Sequence, residues 1–421
     1  MKLLCRSLYL LVILISAGCI DGKKEGDIYE IDIEGNVASI EPLNLSDYVD
    51  RVSYVLLKND SVIIEGIRQI DFYQDFILVS DRKNCVLYDS KGNYLCRIGR
   101  EGKGNGEYIT VSNVKIGKEK IYLQDYKDIL IYDLKGKFLK KLHPEVNAGV
   151  RVMKSWCIYQ DSLIFCQIPN YSGKEEFKAC IFNECGKIIK SFKNYIFLNR
   201  TSENINSYDE DADFYQFNGN NCFKERMNDT LFILNKKVDL EPICYFNLGS
   251  FSQPLSQREL GIFQMIKKID NYIYIDNIYE SASYLFIDCD FGNHSPAKKP
   301  IPTEKYGAIS NYYTTKILGI YNKNLKELFF SLPALSDDEL ANNGLYNDFD
   351  GGSNFYPTKM INDSTFAMCI DAYLLKAHVT SEAFKNSIPK HPEKKKELEK
   401  LATNLNENDN PVLMLVKIKK E

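Results

Sequence analysis

The sequence predicts an all-β fold, a six-bladed β-propeller whose ring is closed by strands from both ends of the chain. Three observations predict it: a recurring hairpin, short apolar runs rich in β-branched and aromatic residues, and a continuous apolar run at 411–418. A period of about 40–50 residues with about four strands per unit is typical of propeller blades. One small sheet cannot bury both of its faces, whereas a ring of sheets can.

The hairpin has the same turn chemistry in three units. Asp or Asn opens each turn and Gly closes it, at Gly92, Gly136 and Gly186, which are 44 and 50 positions apart. This pattern predicts a type I turn followed by a left-handed glycine. Each unit has the pattern strand, short link, strand, tight turn, strand. The three units span 76–95, 121–139 and 163–189.

Fainter copies of the pattern follow, and with the first three they indicate six or seven blades, of which we predict six. The strand-like segments are 230–234, 244–249, 272–276, 284–288, 327–331 and 365–370. The run 411–418 has the composition of a strand buried on both faces. We predict that it shares a blade with N-terminal strands near 52–57, which would leave the ring without open edges.

Several segments are predicted to depart from the blade pattern. Residues 380–405 are strongly helical, with Pro392 near a helix start. A short helix is predicted within 254–266. Residues 195–225 and 298–318 are predicted to be loop insertions at the face where propeller ligands usually dock.

The N-terminus has the layout of an export signal. Lys2 and Arg6 carry positive charge, residues 8–15 are apolar, and the small residues 16–18 precede Cys19. The apolar run is too short to cross a bilayer, which needs about 20 residues. The sequence Ser-Ala-Gly-Cys is similar to a bacterial lipobox, in which the cysteine is acylated. An ordinary signal peptide with an incidental cysteine is the alternative.

This interpretation divides the chain into three parts. Residues 1–18 are predicted to be a lipoprotein signal peptide, 19–27 a tether and 28–421 the propeller. Acyl chains on Cys19 would hold the protein at a membrane. Because Ile20 follows the cysteine, the Asp that retains some lipoproteins in the inner membrane is absent there. We therefore predict an outer-membrane location, and the leaflet that the protein faces stays open.

Composition limits the classes of partner. The hydrophobic content of 44% allows a sizeable core, and the formal net charge of -4 gives no electrostatic case for nucleic-acid binding. Tyr (28 residues) and Phe (23 residues) are abundant, which suits carbohydrate or peptide surfaces. Strand propensity explains the same abundance, so it does not by itself identify a ligand.

The chain has 12 cysteines, of which Cys5 lies in the signal and Cys19 is the proposed anchor. The other ten are scattered without CxxC spacing, so we predict that most are small buried hydrophobic residues. Cys85 and Cys96 lie on either side of one hairpin, so a disulfide between them is a candidate. If 90–92 is a three-residue loop, the register predicts that their side chains point to opposite sheet faces; a loop of two or four residues would reverse this.

A family resemblance lies in the segment 98–108, Ile-Gly-Arg-Glu-Gly-Lys-Gly-Asn-Gly-Glu-Tyr. It resembles the IGRxGxGPGEY signature of the six-bladed β-propeller lipoproteins of Bacteroides and relatives. The first two hairpins and the segment 410–413 are similar to the same family, over roughly 28–420. Asn105 stands where the family usually has Pro, and Asn tolerates turn geometry. The resemblance implies export, a lipid anchor and a propeller, without an established activity.

We predict that this segment is a structural loop between blades. Its motif residues are Gly99, Arg100, Gly102, Gly104, Gly106, Glu107 and Tyr108. The glycines permit positive φ, while Glu107 and Tyr108 hold the loop in place. A phosphate-binding P-loop would need Ser or Thr after its Lys, but Gly104 follows Lys103. Arg100 and Lys103 stay candidates to project towards a ligand.

No metal or cofactor is predicted. Residues 209–213 alternate carboxylates like a calcium loop, but Phe214 and Asn220 replace the required Gly and bidentate Glu, so a solvated acidic loop is predicted. Residues 348–352 are predicted to be a turn. The four histidines have no zinc-pair spacing and lie in no nucleophile motif. They are His143, His294, His378 and His391.

The function predicted from these features is that of a non-catalytic binding or scaffold protein. It would be held at the membrane by its N-terminal lipid and would present a propeller face to a glycan, peptide or protein partner. The alternative is a propeller enzyme, a calcium-assisted lactonase, hydrolase or lyase, with its site in the central funnel. Three or more Asp, Glu or Asn side chains within metal reach at the axis would favour the enzyme. An apolar or Tyr-lined mouth would favour binding.

Overall fold

Six small sheets stand in a ring around a central axis. The computed structural model describes residues 28–59, 61–147, 153–200, 212–260, 271–296, 315–333 and 343–420. Each sheet has four or five strands, which confirms the predicted all-β propeller with six blades. The predicted signal peptide and tether, with Cys19, lie outside the described residues. Within the described ranges, no helix has the length and apolar character needed to cross a membrane.

The blades are numbered along the chain, and in each the first strand lies at the hub. The N-terminal part forms β1 (Tyr29–Asp32), β2 (Ile40–Glu41), α1 (Leu45–Tyr48) and β3 (Val49–Leu56). Blade 1 contains β4 (Gln69–Tyr73), β5 (Phe76–Ser80), β6 (Cys85–Asp89) and β7 (Tyr94–Arg97). Blade 2 contains β8 (Asn113–Gly117), β9 (Lys120–Asp125), β10 (Asp128–Asp133) and β11 (Phe138–Leu142). Blade 3 contains β12 (Trp156–Tyr159), β13 (Leu163–Gln167), β14 (Phe177–Phe182) and β15 (Ile188–Lys193).

The remaining blades follow the same order. Blade 4 contains β16 (Ala212–Phe217), β17 (Asn220–Glu225), β18 (Thr230–Leu234) and β19 (Leu240–Asn247). Blade 5 contains β20 (Tyr274–Glu280), β21 (Tyr284–Asp290), β22 (Lys316–Asn322) and β23 (Glu327–Ser331). Blade 6 combines β24 (Lys359–Asn362), β25 (Thr365–Ile370) and β26 (Val412–Ile418) with β3 as its outermost strand.

Blade 6 closes the ring as predicted. β26 lies between β25 and β3, with Leu415 opposite both Ala367 and Ser53. The run predicted to be buried on both faces is therefore an internal strand. The N-terminal segment also adds two parallel edge strands that the sequence did not predict: β1 pairs with β19 of blade 4, and β2 pairs with β23 of blade 5. The start of the chain thus crosses the outside of two blades before it enters blade 6.

The predicted hairpin turns form as expected. In blade 1 the Asp89 carboxylate accepts from the backbone N–H groups of Lys91 and Asn93 at 2.9 and 2.8 Å. The glycines that end the three turns all have positive φ, between 78° and 83°, which a side chain disfavours. Asp133 and Asn183 accept equivalent bonds in blades 2 and 3.

The core lies between neighbouring blades. Leu78 and Leu87 of blade 1 pack with Val114 and Tyr132 of blade 2 in one buried cluster. Since each fully buried side chain of this kind contributes about 1.5–3 kcal/mol, the blades stabilise one another through the surfaces that face around the ring.

Helices cover one side of blade 6 and confirm the predicted helical segment. They are α3 (Ala372–Thr380), α4 (Glu382–Asn386) and α5 (Pro392–Thr403), while α2 (Leu255–Arg258) follows blade 4. Pro392 is the first residue of α5, where its missing N–H costs nothing. Leu398 and Ala402 of α5 are buried against Leu375 of α3.

Two predictions about chain segments were wrong in part. Residues 212–225, predicted to lie in a loop insertion, form β16 and β17 of blade 4. The insertion 298–318 ends early, because β22 begins at Lys316. Residues 201–211 and 297–314 lie outside the described residues. β16 faces the hub, so its sequence is polar and aromatic-rich. It therefore lacks the continuous apolar run from which a strand would have been predicted.

The prediction that Cys85 and Cys96 point to opposite faces was wrong. The three-residue turn forms, but the register shifts by one residue between Leu87 and Tyr88, so Cys96 lies opposite Leu87. Leu87 and Cys85 share a face, and the β-bulge therefore brings both cysteines into one cluster. Both thiols are free. The other described cysteines are also free and mostly buried, as predicted.

The glycine-rich loop joins β7 of blade 1 to β8 of blade 2. Gly99, Gly102 and Gly106 have φ of 60°, 159° and 75°. The Glu107 carboxylate accepts from the Gly104 N–H at 2.7 Å and from Arg100 Nε at 2.6 Å, and these bonds lower the pKa of Glu107. The buried Tyr108 donates its hydroxyl to the Lys83 carbonyl at 2.8 Å.

Gly106→Ala is expected to destabilise the protein by about 1–3 kcal/mol. A methyl group at this position would lie 2.7 Å from Cβ and Cγ of Phe138, on a backbone with φ of 75°. Gly219→Ala is the matched control, since Gly219 has φ of 72° with no atom within 4 Å of the added carbon. Chemical denaturation should show a clearly larger loss for Gly106→Ala; equal losses would mean that the Phe138 contact is easily relieved.

Candidate functional site

The six inner strands surround a central cavity of about 1270 Å³. All five residues of β4 are half-buried, whereas four of the five residues of β5 behind it are fully buried. The inner strands therefore form the wall of a cavity, and the second strands form the core. Every blade contributes side chains to this hub.

The lining of the hub carries more basic than acidic side chains, but Asp288 and Asp290, which pair with Lys316 and Arg226, offset this difference. The lining contains seven basic and five acidic side chains, a formal surplus of two positive charges, while the whole chain has a net charge of -4. The basic residues are Arg68, Lys115, Lys118, Lys154, Arg226, Lys316 and Lys359. The acidic residues are Asp71, Asp161, Asp213, Asp276 and Asp363.

One group of these residues, which we call the Asp71 cluster, consists of Asp71, Lys115, Cys157, Asp213 and Lys359. Asp71 of blade 1 lies 2.9 Å from the amine of Lys359 in blade 6, and its second oxygen accepts from the backbone N–H at position 116 of blade 2 at 2.9 Å. Burial opposes ionisation of Asp71, but the two lysines and this N–H outweigh it and lower its pKa. One carboxylate thus links three blades.

Lys115 lies beside this ion pair. Burial, and next the nearby Lys359 ammonium, lower the pKa of Lys115 to about 8, although Asp71 opposes the shift. The same carboxylate raises the pKa of Lys359 against the effect of burial. Of the two neighbouring amines, Lys359 is therefore the stable cation, and Lys115 exchanges its proton near neutral pH.

Asp213 belongs to this cluster and not to a solvated acidic loop, which corrects the prediction for this residue, while 209–211 lie outside the described residues. It is the second residue of β16, and its carboxylate accepts from the Ile278 N–H of blade 5 at 2.8 Å. Burial raises the pKa of Asp213 to about 6, although this bond and the lysines of the cluster act in the opposite direction. The carboxylate thus takes up a proton in mildly acidic solution.

Asp213→Asn is expected to raise the melting temperature at pH 7.5. Because the folded-state pKa of about 6 lies above the ordinary value of 3.8, the folded state binds this proton more tightly than the unfolded chain, and stability falls as pH rises between these values. The asparagine imitates the protonated carboxyl, so the difference should vanish near pH 4. Thermal melts from pH 4 to 8 measure the difference in melting temperature between the variant and the wild type. Asp50→Asn, at an exposed aspartate, is the control. A difference that stays the same across this pH range would contradict the prediction.

Cys157 completes the Asp71 cluster on blade 3. Burial raises the pKa of its thiol to about 12, and its Sγ lies 3.7 Å from Oδ1 of Asn221. The thiol is therefore neutral at physiological pH. It contributes a small, weakly polar surface to the hub and is not an activated nucleophile.

A second group, the Asp276 cluster, consists of Arg226, Asp276, Asp288, Asp290 and Lys316. Asp276 of β20 lies 3.0 Å from Arg226 Nε and also contacts the Lys316 amine. Arg226 reaches Asp290 at 3.4 Å, and Lys316 reaches Asp288 at 3.5 Å. All five side chains are at least four-fifths buried. Burial opposes the charge of Lys316, but Asp288 and Asp276 outweigh it and raise its pKa.

Asp288 is fixed by further bonds. Its Oδ1 accepts from the Tyr356 hydroxyl at 2.6 Å, and its Oδ2 accepts from Asn277 at 2.8 Å. These partners leave little freedom to the carboxylates of the Asp276 cluster. The cluster is therefore a rigid part of the hub wall, with two cations balanced by three carboxylates.

One end of the hub is narrowed by a bond between non-neighbouring blades. The Asn218 N–H in the turn after β16 donates to the Asp363 carboxylate in the turn after β24, at 3.1 Å. Both turns follow the C-terminal ends of inner strands. This hydrogen bond therefore ties blades 4 and 6 together at that end of the hub.

The residues of the glycine-rich motif lie away from the hub. The glycine-rich loop does not line the cavity, and Arg100 is paired with Glu107. Residues 348–350 form a turn, as predicted. Among the described residues, no three His, Cys, Asp or Glu side chains lie close enough to hold a metal ion. The hub mouth is neither apolar nor simply Tyr-lined, but charged.

The comparisons with known proteins agree with this fold. The model of a family described as a domain of unknown function, DUF4934, matches residues 28–417. A protein from Bacteroides fragilis described as exported has a TM-score of 0.65 and 17% identity, covering 94% of this chain and 100% of its own. A member of the DUF4221 family from Bacteroides vulgatus has a TM-score of 0.50 and 10% identity, covering 88% and 97%. At these identities the likeness shows the fold alone. No curated protein matches the chain.

Proposed function

This chain belongs to the DUF4934 family, a domain of unknown function, and we propose that it is a lipid-anchored binding module whose ligand site is the hub cavity. The observation that carries the proposal is the set of charged side chains around one cavity, several of which, including Asp71, Asp276 and Lys316, are largely buried. Removing charges from water costs several kcal/mol per ion, and apolar side chains would stabilise a hub at least as well. Perturbed ionisable groups that converge in a cavity are typical of functional sites.

The geometry supports binding through fixed polar groups. Asp71, Asp276 and Asp288 are each held by two or more partners, so the wall is organised before a ligand arrives. Such preorganisation lowers the entropic cost of association. The enzyme alternative would route chemistry through the Asp71 cluster, where Lys115 and Asp213 have shifted pKa values.

Hydrogen exchange can test the position of the site. We would screen the full-length protein against glycan and peptide arrays, then measure amide exchange with each ligand found. Binding in the hub should slow exchange in β8, β12 and β16 and leave the outer strand β11 unchanged. Protection restricted to outer strands would contradict the proposal. Mass spectrometry of the ligand after incubation distinguishes the alternatives, since a chemically altered ligand would indicate an enzyme.

The lipid anchor is a separate part of the proposal and rests on the sequence around Cys19. In cells fed an alkyne-labelled fatty acid, the wild type should carry the label and fractionate with the outer membrane. Cys19→Ala should lose both properties, because the acceptor thiol is gone. Cys185→Ala, at an exposed cysteine of the propeller, is the control and should behave as wild type. Label retained by Cys19→Ala would exclude this anchor.

A further inference from the structure

Among the described residues, one amine of the hub forms no salt bridge although it lies beside an ion pair. Lys115 lines the cavity, as does Lys359, whose ammonium acts on Lys115 electrostatically. The carboxylate next to both is Asp71, but one of its oxygens is 2.9 Å from the Lys359 amine and the other accepts from the Ile116 N–H at 2.9 Å. Two ammonium groups therefore share a carboxylate whose oxygens are already engaged.

The titratable groups that face Lys115 come from four blades. They are Lys359 of blade 6, Asp71 of blade 1, Cys157 of blade 3 and Asp213 of blade 4. Cys157 is a neutral thiol because burial raises its pKa to about 12. The carboxylate of Asp213 is engaged by a backbone N–H from blade 5. Asp71 and Asp213 thus act on Lys115 electrostatically, but neither forms a salt bridge with it.

Building on the proposed hub site, we propose that the cavity binds its ligand through a carboxylate that pairs with the Lys115 ammonium. Lys115 lines the cavity and, among the described residues, has no carboxylate in salt-bridge contact, so its ammonium is available to such a group. A ligand carboxylate supplies the partner that Lys115 lacks. Because an opposite charge favours the charged form of an amine, binding also draws a proton onto Lys115.

The cavity sets the size of the ligand. Its volume of about 1270 Å³ exceeds the roughly 300–1,000 Å³ of sites for drug-sized molecules. An acidic oligosaccharide of a few units and an acidic peptide of a few residues both fit that volume. Both ligands present a carboxylate on a polar chain, and the site recognises this shared group. The experiment below distinguishes the oligosaccharide from the peptide.

Calorimetry with matched acidic and neutral probes tests the proposal. The probes are trigalacturonate and its methyl ester, and acetyl-triglutamate amide with its triglutamine counterpart. We expect the full-length protein to bind one acid at least about tenfold more tightly than its neutral counterpart. At pH 8, titrations in buffers of different ionisation enthalpy should show net proton uptake, because part of Lys115 is neutral before the acid binds.

Three variants separate the role of Lys115 from general charge. Lys115→Gln should lose the preference for the acid and the proton uptake. Lys115→Arg should keep the preference but lose the uptake, because a guanidinium stays protonated at pH 8. Lys135→Gln, at an exposed lysine in the blade 2 hairpin, should behave as wild type. Circular dichroism and melting temperature would confirm that each variant is folded.

Several outcomes would overturn the carboxylate proposal. The proposal fails if the acid and its neutral counterpart bind with equal affinity, or if no probe binds measurably. It also fails if folded Lys115→Gln keeps the full preference for the acid, or if Lys115→Arg still takes up a proton on binding. If the neutral probes bind and slow exchange in the inner strands, the hub remains the ligand site and only the carboxylate inference fails. If bound probes protect only outer strands, the hub itself is excluded.

Discussion

Replacing Leu413 with alanine is expected to lower the free energy of unfolding by about 2–5 kcal/mol. Leu413 is fully buried in β26 of blade 6 and packs with Val79, Val86 and Tyr88 of blade 1. It therefore lies at the seam where the last blade meets the first. The cavity left by the missing methyl groups would weaken the contact that closes the ring.

Denaturant unfolding followed by circular dichroism measures this loss. Lys417→Ala is the matched control, because Lys417 lies in the same strand and is exposed; its effect should stay within about 0.5 kcal/mol. A Leu413→Ala protein less than about 1 kcal/mol from wild type would show that the ring does not depend on the packing of this seam.

Asp276→Asn is expected to destabilise the protein by about 3–5 kcal/mol, because it breaks a buried network by removing one charge. The asparagine keeps the size of the side chain, but Arg226 and Lys316 lose the carboxylate that lies between them. The remaining carboxylates would then be Asp290, 3.4 Å from Arg226, and Asp288, 3.5 Å from Lys316. Since the network is shielded from solvent, the loss should persist at 1 M salt.

A surface ion pair provides the comparison for this variant. Glu397 lies 2.7 Å from Lys394 on α5, with both side chains more than one-third exposed. Glu397→Gln should cost less than about 1 kcal/mol. If chemical denaturation gave the same small loss for Asp276→Asn, the Asp276 cluster would be energetically equivalent to a solvated pair, and the burial argument for the hub would lose its main support.

The sequence predicted the blades through their outer three strands. Its aligned units begin at 76, 121 and 163, which are the starts of the second strands or lie one residue inside them. The second and third strands are buried apolar runs joined to the fourth by an Asp-to-Gly turn, and both signals are local. The inner strands β4 and β8 contain the charged residues Asp71 and Lys115. When strands are recognised by their apolar positions, such residues cannot be distinguished from residues on the protein surface.

The candidate site was missed for that reason. Lys115 and Asp213 lie in strands without a continuous apolar run, and Asp213 follows an acidic segment that resembles a solvated loop. The β-bulge at Leu87 was also missed, although the same register shift accompanies the Gly-ended turns of blades 2 and 3; in blade 1 it moves Cys96 to the face of Cys85. A useful signal would have been the half-polar segments Gln69–Tyr73 and Asn113–Gly117, which precede the first two aligned units.

By itself the sequence determined the blade repeat, the turn that ends each hairpin and the strands that close the ring. These features depend on apolar periodicity and on the conformational needs of Asp and Gly within a few residues. Only the tertiary structure decided which side chains share the hub. Asp71, Lys115, Asp213 and Lys359 are separated by 44, 98 and 146 positions, and it is the curvature of the ring, set by the packing between blades, that brings their charges together.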